Sequence, residues 1–257
     1  MKKTVIAMAI ASALASPAFA DSFINGGFED GNTNGWDVSN SAYRASVNNT
    51  ALTPAWVYAN DTSPMRSTII NAGALDPNVG AAFGATVYSG NHSMRVEDTV
   101  SGGYASAIQQ TVANYTDPSI FFAWKAVLEG AHGTTDAATM KIVLRDETDK
   151  VDLITRTYNA ASGGGGIDNR WTLLNGNYYT AQWQIEQLDV SKLSGHTFTL
   201  SVLASDCQPT GHFGYVYLDG FGAVIPPTNV PEPGSLALLG LGMVGLLAAS
   251  SRRRKAA

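Results

Sequence analysis

Apolar and polar side chains alternate along the middle and end of this chain, and no long segment repeats with helical period. Ser119–Glu129 (SIFFAWKAVLE) places Ile120, Phe122, Trp124, Ala126 and Leu128 on one face, the period-two pattern of a strand. Residues 140–145 (MKIVLR), 196–204 (HTFTLSVLA) and 214–224 (GYVYLDGFGAV) follow the same rule. Further strands are predicted at 22–24, 92–96, 105–111 and 180–188. Gly- and Asn-rich tracts at 30–35, 101–103, 163–166 and 176–178 supply turns. Many short strands with such turns predict an all-β, antiparallel two-sheet sandwich. Residues 45–83 carry more Asn, Thr and Pro and less pattern, which predicts a long excursion over one sheet, with room for a short helix or hairpin.

The two ends depart from this pattern. Lys2 and Lys3, an apolar stretch from Val5 to Leu14, and Ala18-Phe19-Ala20 have the order of a secretory signal peptide cleaved after Ala20. The stretch is short of the roughly 20 apolar residues a membrane span needs. At the other end, Val230, Pro231, Glu232 and Pro233 precede an apolar run from Leu236 to Ala249 and the cations Arg252, Arg253, Arg254 and Lys255. The prolines keep the preceding backbone extended, and the cations favour a cytoplasmic end. This three-part order resembles the PEP-CTERM sorting signal that exosortases recognise in Gram-negative bacteria making extracellular polysaccharide. The resemblance implies export by the Sec machinery, an inner-membrane-tethered precursor, and exosortase processing to a cell-surface or extracellular product. The expected organisation is a signal peptide at 1–20, a sandwich domain at 21–225, a linker at 226–234, a short transmembrane helix at 235–251 and a basic tail at 252–257.

Six of the 16 Lys and Arg residues lie in those ends, but only one of the 21 Asp and Glu residues, Glu232. The body is therefore strongly acidic, which argues against nucleic acid as a partner. Cys207 is the only cysteine, so no intramolecular disulfide forms. It closes an alternating apolar segment, which favours burial over an intermolecular bridge.

The body opens Phe23-Ile24-Asn25-Gly26-Gly27-Phe28-Glu29-Asp30-Gly31, with Gly35-Trp36 following, and closes Tyr215-Val216-Tyr217-Leu218-Asp219-Gly220-Phe221. With Gly90-Asn91-His92-Ser93-Met94-Arg95 between them, these phrases resemble the galactose-binding-like jelly roll of many carbohydrate-binding modules. The resemblance implies that the first and last strands adjoin and that Glu29 and Asp219 share a structural calcium. Backbone carbonyls near Gly31 and Asn91–Ser93 would be further donors. Calcium takes six to eight hard oxygens, and two carboxylates without a cation would repel each other. The alternative is that both are turn residues that never meet.

Catalytic motifs are absent: neither His-Glu-x-x-His nor Gly-x-Ser-x-Gly occurs. His132, His196 and His212 lack the close spacing of a zinc site. Asp206, Cys207 and His212 fall within a short tract, but as a turn between the last two strands rather than a nucleophile and its base. Glu97 with Asp98, or Glu129 with Glu186, could be paired for glycoside hydrolysis, though nothing in the chain selects them. Sugar faces stack on exposed aromatic rings. Trp36 and Trp124 belong in the core, leaving Trp56, Tyr58, Trp171, Tyr178, Tyr179 and Trp183 as candidates. The expectation is a non-catalytic, calcium-bearing surface protein that binds matrix polysaccharide weakly, with a structural spacer or a hydrolase as alternatives.

Overall fold

A computed structural model describes residues 23–161, 167–223 and 225. The leader, the Gly163–Gly166 turn, the Val230–Pro233 motif, the apolar run and the basic tail lie outside the described residues. Among the described residues no helix is long and apolar enough to cross a membrane.

The chain folds as two antiparallel sheets. The first contains β1 (Asp37–Val38), β2 (Ala42–Tyr43), β5 (Tyr104–Tyr115), β7 (Thr139–Asp146), β8 (Val151–Asn159) and β12 (His196–Ser205). Its order is β1-β5-β12-β7-β8, with β2 also on β5. The second contains β3 (Thr68–Asn71), β4 (His92–Val96), β6 (Ser119–Glu129), β9 (Trp171–Leu174), β10 (Asn177–Thr180), β11 (Gln184–Asp189) and β13 (Gly214–Gly222). Its order is β3-β4-β13-β6-β10-β9, with β11 also on β6. From β4 to β7 successive strands change sheet, as does the step from β12 to β13, which gives the sandwich its jelly-roll path.

The predicted face of β6 points between the sheets. Ile120, Phe122, Trp124, Ala126 and Leu128 meet Ile142 and Leu144 of β7, Phe198, Leu200 and Val202 of β12, and Val216 and Leu218 of β13. The opposite faces of β6 and β13 are buried as well. Val127, Tyr215 and Tyr217 pack under Val79 and Phe83, which belong to the connection from β3 to β4. The outer face of the first sheet has its own cover, α1 (Pro54–Asn60), whose Val57 packs on Ala105, Ala107 and Leu203. Thr53 caps this helix by accepting the Trp56 amide at 3.1 Å, and Pro54 occupies a first-turn position that needs no N–H donor.

The excursion expected over one sheet is therefore two covers, one per sheet, separated by β3. Residues 23–27 form turns rather than a strand. Asn25 (φ 49°) and Phe28 (φ 59°) are left-handed, and the bend presents the Gly26 carbonyl to the Phe221 amide at 3.0 Å. A Cβ on Gly26 would lie 1.7 Å from the Phe221 oxygen, so only glycine permits this approach. The strand expected at 180–188 is interrupted between β10 and β11. The pattern did not mark β8, an edge strand with few fully buried residues.

Candidate functional site

The structure brings Glu29 and Asp219 to one corner, where the opening turns meet the end of β13. Both Glu29 carboxylate oxygens accept the Asn91 amide, at 3.0 and 2.9 Å, and one also accepts the His92 amide at 3.0 Å. Asp219 is 1% exposed, and its Oδ2 accepts the amides of Tyr88 (2.8 Å) and Ser89 (3.2 Å). Its Oδ1 is buried and has no hydrogen-bond partner among the described residues. Burial, reinforced by the neighbouring Glu29 charge, pushes the Asp219 carboxyl up to about 8. The 88–92 loop thus turns N–H groups toward these carboxylates, where the resemblance implied carbonyl donors. An amide uses only part of a carboxylate's acceptor capacity, and a Cβ on Gly27 would lie 3.5 Å from Oδ1 and 3.8 Å from Glu29 Cγ. The two carboxylates offer hard oxygens, the donor type that calcium takes.

The six aromatic candidates do not form one platform. Tyr178 and Tyr179 are neighbours on β10, so the pleat sends them to opposite faces. Tyr179 is 6% exposed beneath Phe83, and Trp171, at 8%, packs on Trp124 and Tyr158. Both are core residues and offer no free face, which corrects their assignment as sugar contacts. Tyr178 leans on the inter-sheet core. Trp56 and Tyr58 lie on α1 over the first sheet, with the Tyr58 hydroxyl donating to the Asp37 carbonyl at 2.8 Å. Trp183 lies on the outer side of the second sheet. Its Nε1 donates to the Ala85 carbonyl at 3.1 Å, and its ring meets Tyr88 edge-on with centroids 5.9 Å apart. Ile185, two residues on along the same face, is exposed.

The carboxylates considered for hydrolysis are committed elsewhere. Glu186 pairs with Arg156 at 2.5 Å and accepts the Trp124 indole N–H at 3.2 Å. Glu129 accepts the Phe213 amide at 3.3 Å. Asp98 pairs with Arg66 at 2.5 Å. Glu97 is fully buried, accepts the Ser106 hydroxyl at 2.7 Å, and has its carboxyl pushed up by burial and by the Asp206 charge. Lys125, also buried on the second sheet, donates to the Phe83 and Ala85 carbonyls, and desolvation lowers it to about 8. Lys125 thus ties the Phe83 cover to the second sheet, and the Glu186–Arg156 pair joins β11 to β8 across the sandwich.

Sequence reasoning missed a grouping at the β12–β13 turn, and a second one of Asp146, Asp149 and His196. Asp206, Cys207 and His212 do lie in the turn between β12 and β13, and Asp206 accepts the backbone amides of Tyr104 (3.1 Å) and Gly214 (3.3 Å). The fold adds His132, 80 residues away, whose Nε2 is 2.9 Å from His212 Nδ1. The three side chains of His132, Cys207 and His212 converge with all ligand atoms within 4.8 Å. Their separation in sequence left no motif to find.

The PEP-CTERM protein-sorting motif matches residues 229–254, so the chain carries this signal. A search of curated proteins finds no match to the chain. Among solved structures, the chain is similar to the carbohydrate-binding module TmCBM61 in complex with β-1,4-galactotriose. That pair has 10% identity and a TM-score of 0.42, over 79% of this chain and 96% of that one. It is also similar to CBM27-1 of Caldicellulosiruptor saccharolyticus in complex with mannohexaose, at 9% identity and a TM-score of 0.38, covering 77% and 94%. A third is the enzymatically active domain of tailspike protein 4 from bacteriophage CBA120. Here identity is 12% and the TM-score 0.38, over 80% of this chain and 21% of that one. At these identities each ligand or activity remains a property of that neighbour.

Proposed function

We propose that this chain is a non-catalytic surface module whose sandwich holds matrix polysaccharide weakly on the outer side of its second sheet. The sorting motif marks an exported, membrane-anchored precursor destined for the cell surface. After removal of the leader, the body faces an environment rich in extracellular polysaccharide. The observation that carries the binding reading is the fixing of Trp183. Its indole is held by the Ala85 carbonyl and braced by Tyr88, yet it is only partly buried. A ring fixed in advance loses little side-chain entropy when a sugar face stacks on it. Trp56, partly buried on α1 over the first sheet, is a second candidate contact. The carboxylates considered for hydrolysis are engaged by Arg side chains, a hydroxyl or backbone amides, which supports binding over hydrolysis.

Calcium belongs to the same proposal. Glu29 and Asp219 would hold it, and its role would be to neutralise two adjacent carboxylates and clamp the opening turns to the last strand. That is the service a disulfide would otherwise give a secreted domain with one cysteine.

Native affinity electrophoresis of the purified protein in calcium, through gels containing soluble polysaccharides, tests the binding. Retardation by at least one polymer is expected, with loss of most of it in Trp183→Ala. A folded protein that no polymer retards, the producer's own matrix included, would favour the spacer reading. The covering of both sheet faces is the observation on that side.

A further inference from the structure

At the end of β13 opposite the Glu29–Asp219 corner, the β12–β13 turn (residues 206–213) meets the β6–β7 loop (residues 130–138). Gln208 N donates to the Asp136 carbonyl at 2.8 Å, which ties the turn to the loop. Within the turn, Cys207 N donates to the His212 carbonyl at 2.8 Å, and His212 N returns to Cys207 Sγ at 3.2 Å. The Gly211 amide also bonds the sulfur. Burial nonetheless pushes the Cys207 thiol up, so it is a bound metal that would draw off the proton and hold the thiolate. Around the sulfur stand His212 Nδ1, 3.5 Å from Sγ, and His132 Nε2, 2.9 Å from that nitrogen.

We propose that His132, Cys207 and His212 form a binding site for a borderline-soft transition-metal ion of the zinc class. This site is independent of the calcium and polysaccharide reading. Two imidazoles and a thiolate are a donor set that zinc prefers and calcium refuses. Zinc–nitrogen bonds of about 2.05 Å and a zinc–sulfur bond of about 2.3 Å in a tetrahedron place N···N near 3.3 Å and N···S near 3.6 Å. The separations from His212 Nδ1 are 2.9 and 3.5 Å, within a few tenths of an ångström of those values, and His132 Nε2 and Cys207 Sγ lie within 4.8 Å of each other. Coordination forms the metal–sulfur bond and releases the thiol proton to water. The two imidazoles bind neutral, and water completes the fourth position.

His132 and Thr210 are left-handed, at φ 68° and 72°, on the two segments that converge here. Histidine is among the residues that tolerate that region, whereas a β-branched threonine is an outlier. The charge balance is also permissive. The buried Arg44 guanidinium near Cys207 is answered by Asp206 and Asp136. Metal binding would pin the last hairpin turn to the β6–β7 loop, and it would shield the single thiol from oxidation outside the cell.

The test uses the full chain in detergent, reduced, stripped of metal and desalted into excess calcium. Cobalt(II) serves as the spectroscopic probe. One equivalent is expected to produce a near-ultraviolet thiolate-to-cobalt charge-transfer band, displaced by zinc(II). Cys207→Ser should abolish the band. His132→Asn, which keeps a residue suited to the left-handed backbone, and His212→Gln should each weaken affinity by at least about 10-fold. Near-ultraviolet circular dichroism of each metal-free variant establishes that it is folded. A folded, reduced protein that gives no band would overturn the proposal. So would a band of undiminished affinity in both histidine variants, since the thiol alone would then be the ligand.

Discussion

The two ends of β13 are chemically opposite. One end gathers carboxylate oxygens, Glu29 and Asp219, under a loop of amide donors. The other gathers two imidazoles and a thiol, with backbone N–H groups turned to the sulfur. Both tie a distant segment to the last strand of a domain that has no disulfide. Hard oxygens select calcium, and nitrogen with sulfur selects zinc-class ions, so one strand can be fastened at each end without the two ions competing. The comparison teaches that the chemistry at each tie follows from what the two packed loops can present.

The largest expected effect breaks the oxygen end sterically. Gly26→Ala drives a Cβ into the Phe221 carbonyl, so it should destabilise by about 3 kcal/mol or more, read by chemical denaturation. Calcium should not restore the loss, because the damage precedes any ligand. A smaller effect separates charge from packing at the same end. Saturating calcium, at a hundredfold excess over Kd, should stabilise the protein by about 2.7 kcal/mol. Asp219→Asn should abolish that gain, yet match or exceed the parent in chelator, since it replaces a desolvated carboxylate. Equal loss of stability in calcium and in chelator would remove calcium from the account.

Next in size is the buried Glu97, which lies with Asp206 beneath the nitrogen–sulfur end. Its folded-state pKa is raised, so the folded chain keeps a proton that the unfolded chain has released above the ordinary glutamate range. The stability it confers is full below that range and declines as pH rises toward the raised value. Glu97→Gln should flatten the decline, gaining on the order of 1 kcal/mol over the parent at pH 8. Thermal melts across pH 5 to 8.5 check this, and parallel curves would contradict it. The smallest effect on stability is expected for Trp183→Ala, within about 1 kcal/mol, because the ring is only partly buried. Its effect should show in polysaccharide retardation instead.

How far the sequence reached differs between the same two ends. The period-two faces of β6, β12 and β13 were legible because each strand lines a dry interior, and alternation follows directly from the pleat. Glu29 and Asp219 were legible because each sits in a recognisable phrase at one end of the body. The amide-lined loop between them was not, since side-chain pattern says nothing of which way a carbonyl points. His132 could not be joined to His212 before the fold placed the β6–β7 loop against the last hairpin. The aromatic tract 170–184 misled for a local reason. Consecutive residues on a strand part to opposite faces, so Tyr179 went under Phe83 while Tyr178 turned to the inter-sheet core.

Equilibrium dialysis of the reduced, full-length protein against calcium and zinc together, followed by elemental analysis, tests the account of the two ends most directly. One calcium and one zinc per chain are predicted, with Asp219→Asn losing only calcium and Cys207→Ser losing only zinc. Binding of neither ion by folded protein, or loss of both ions from either single variant, would contradict it.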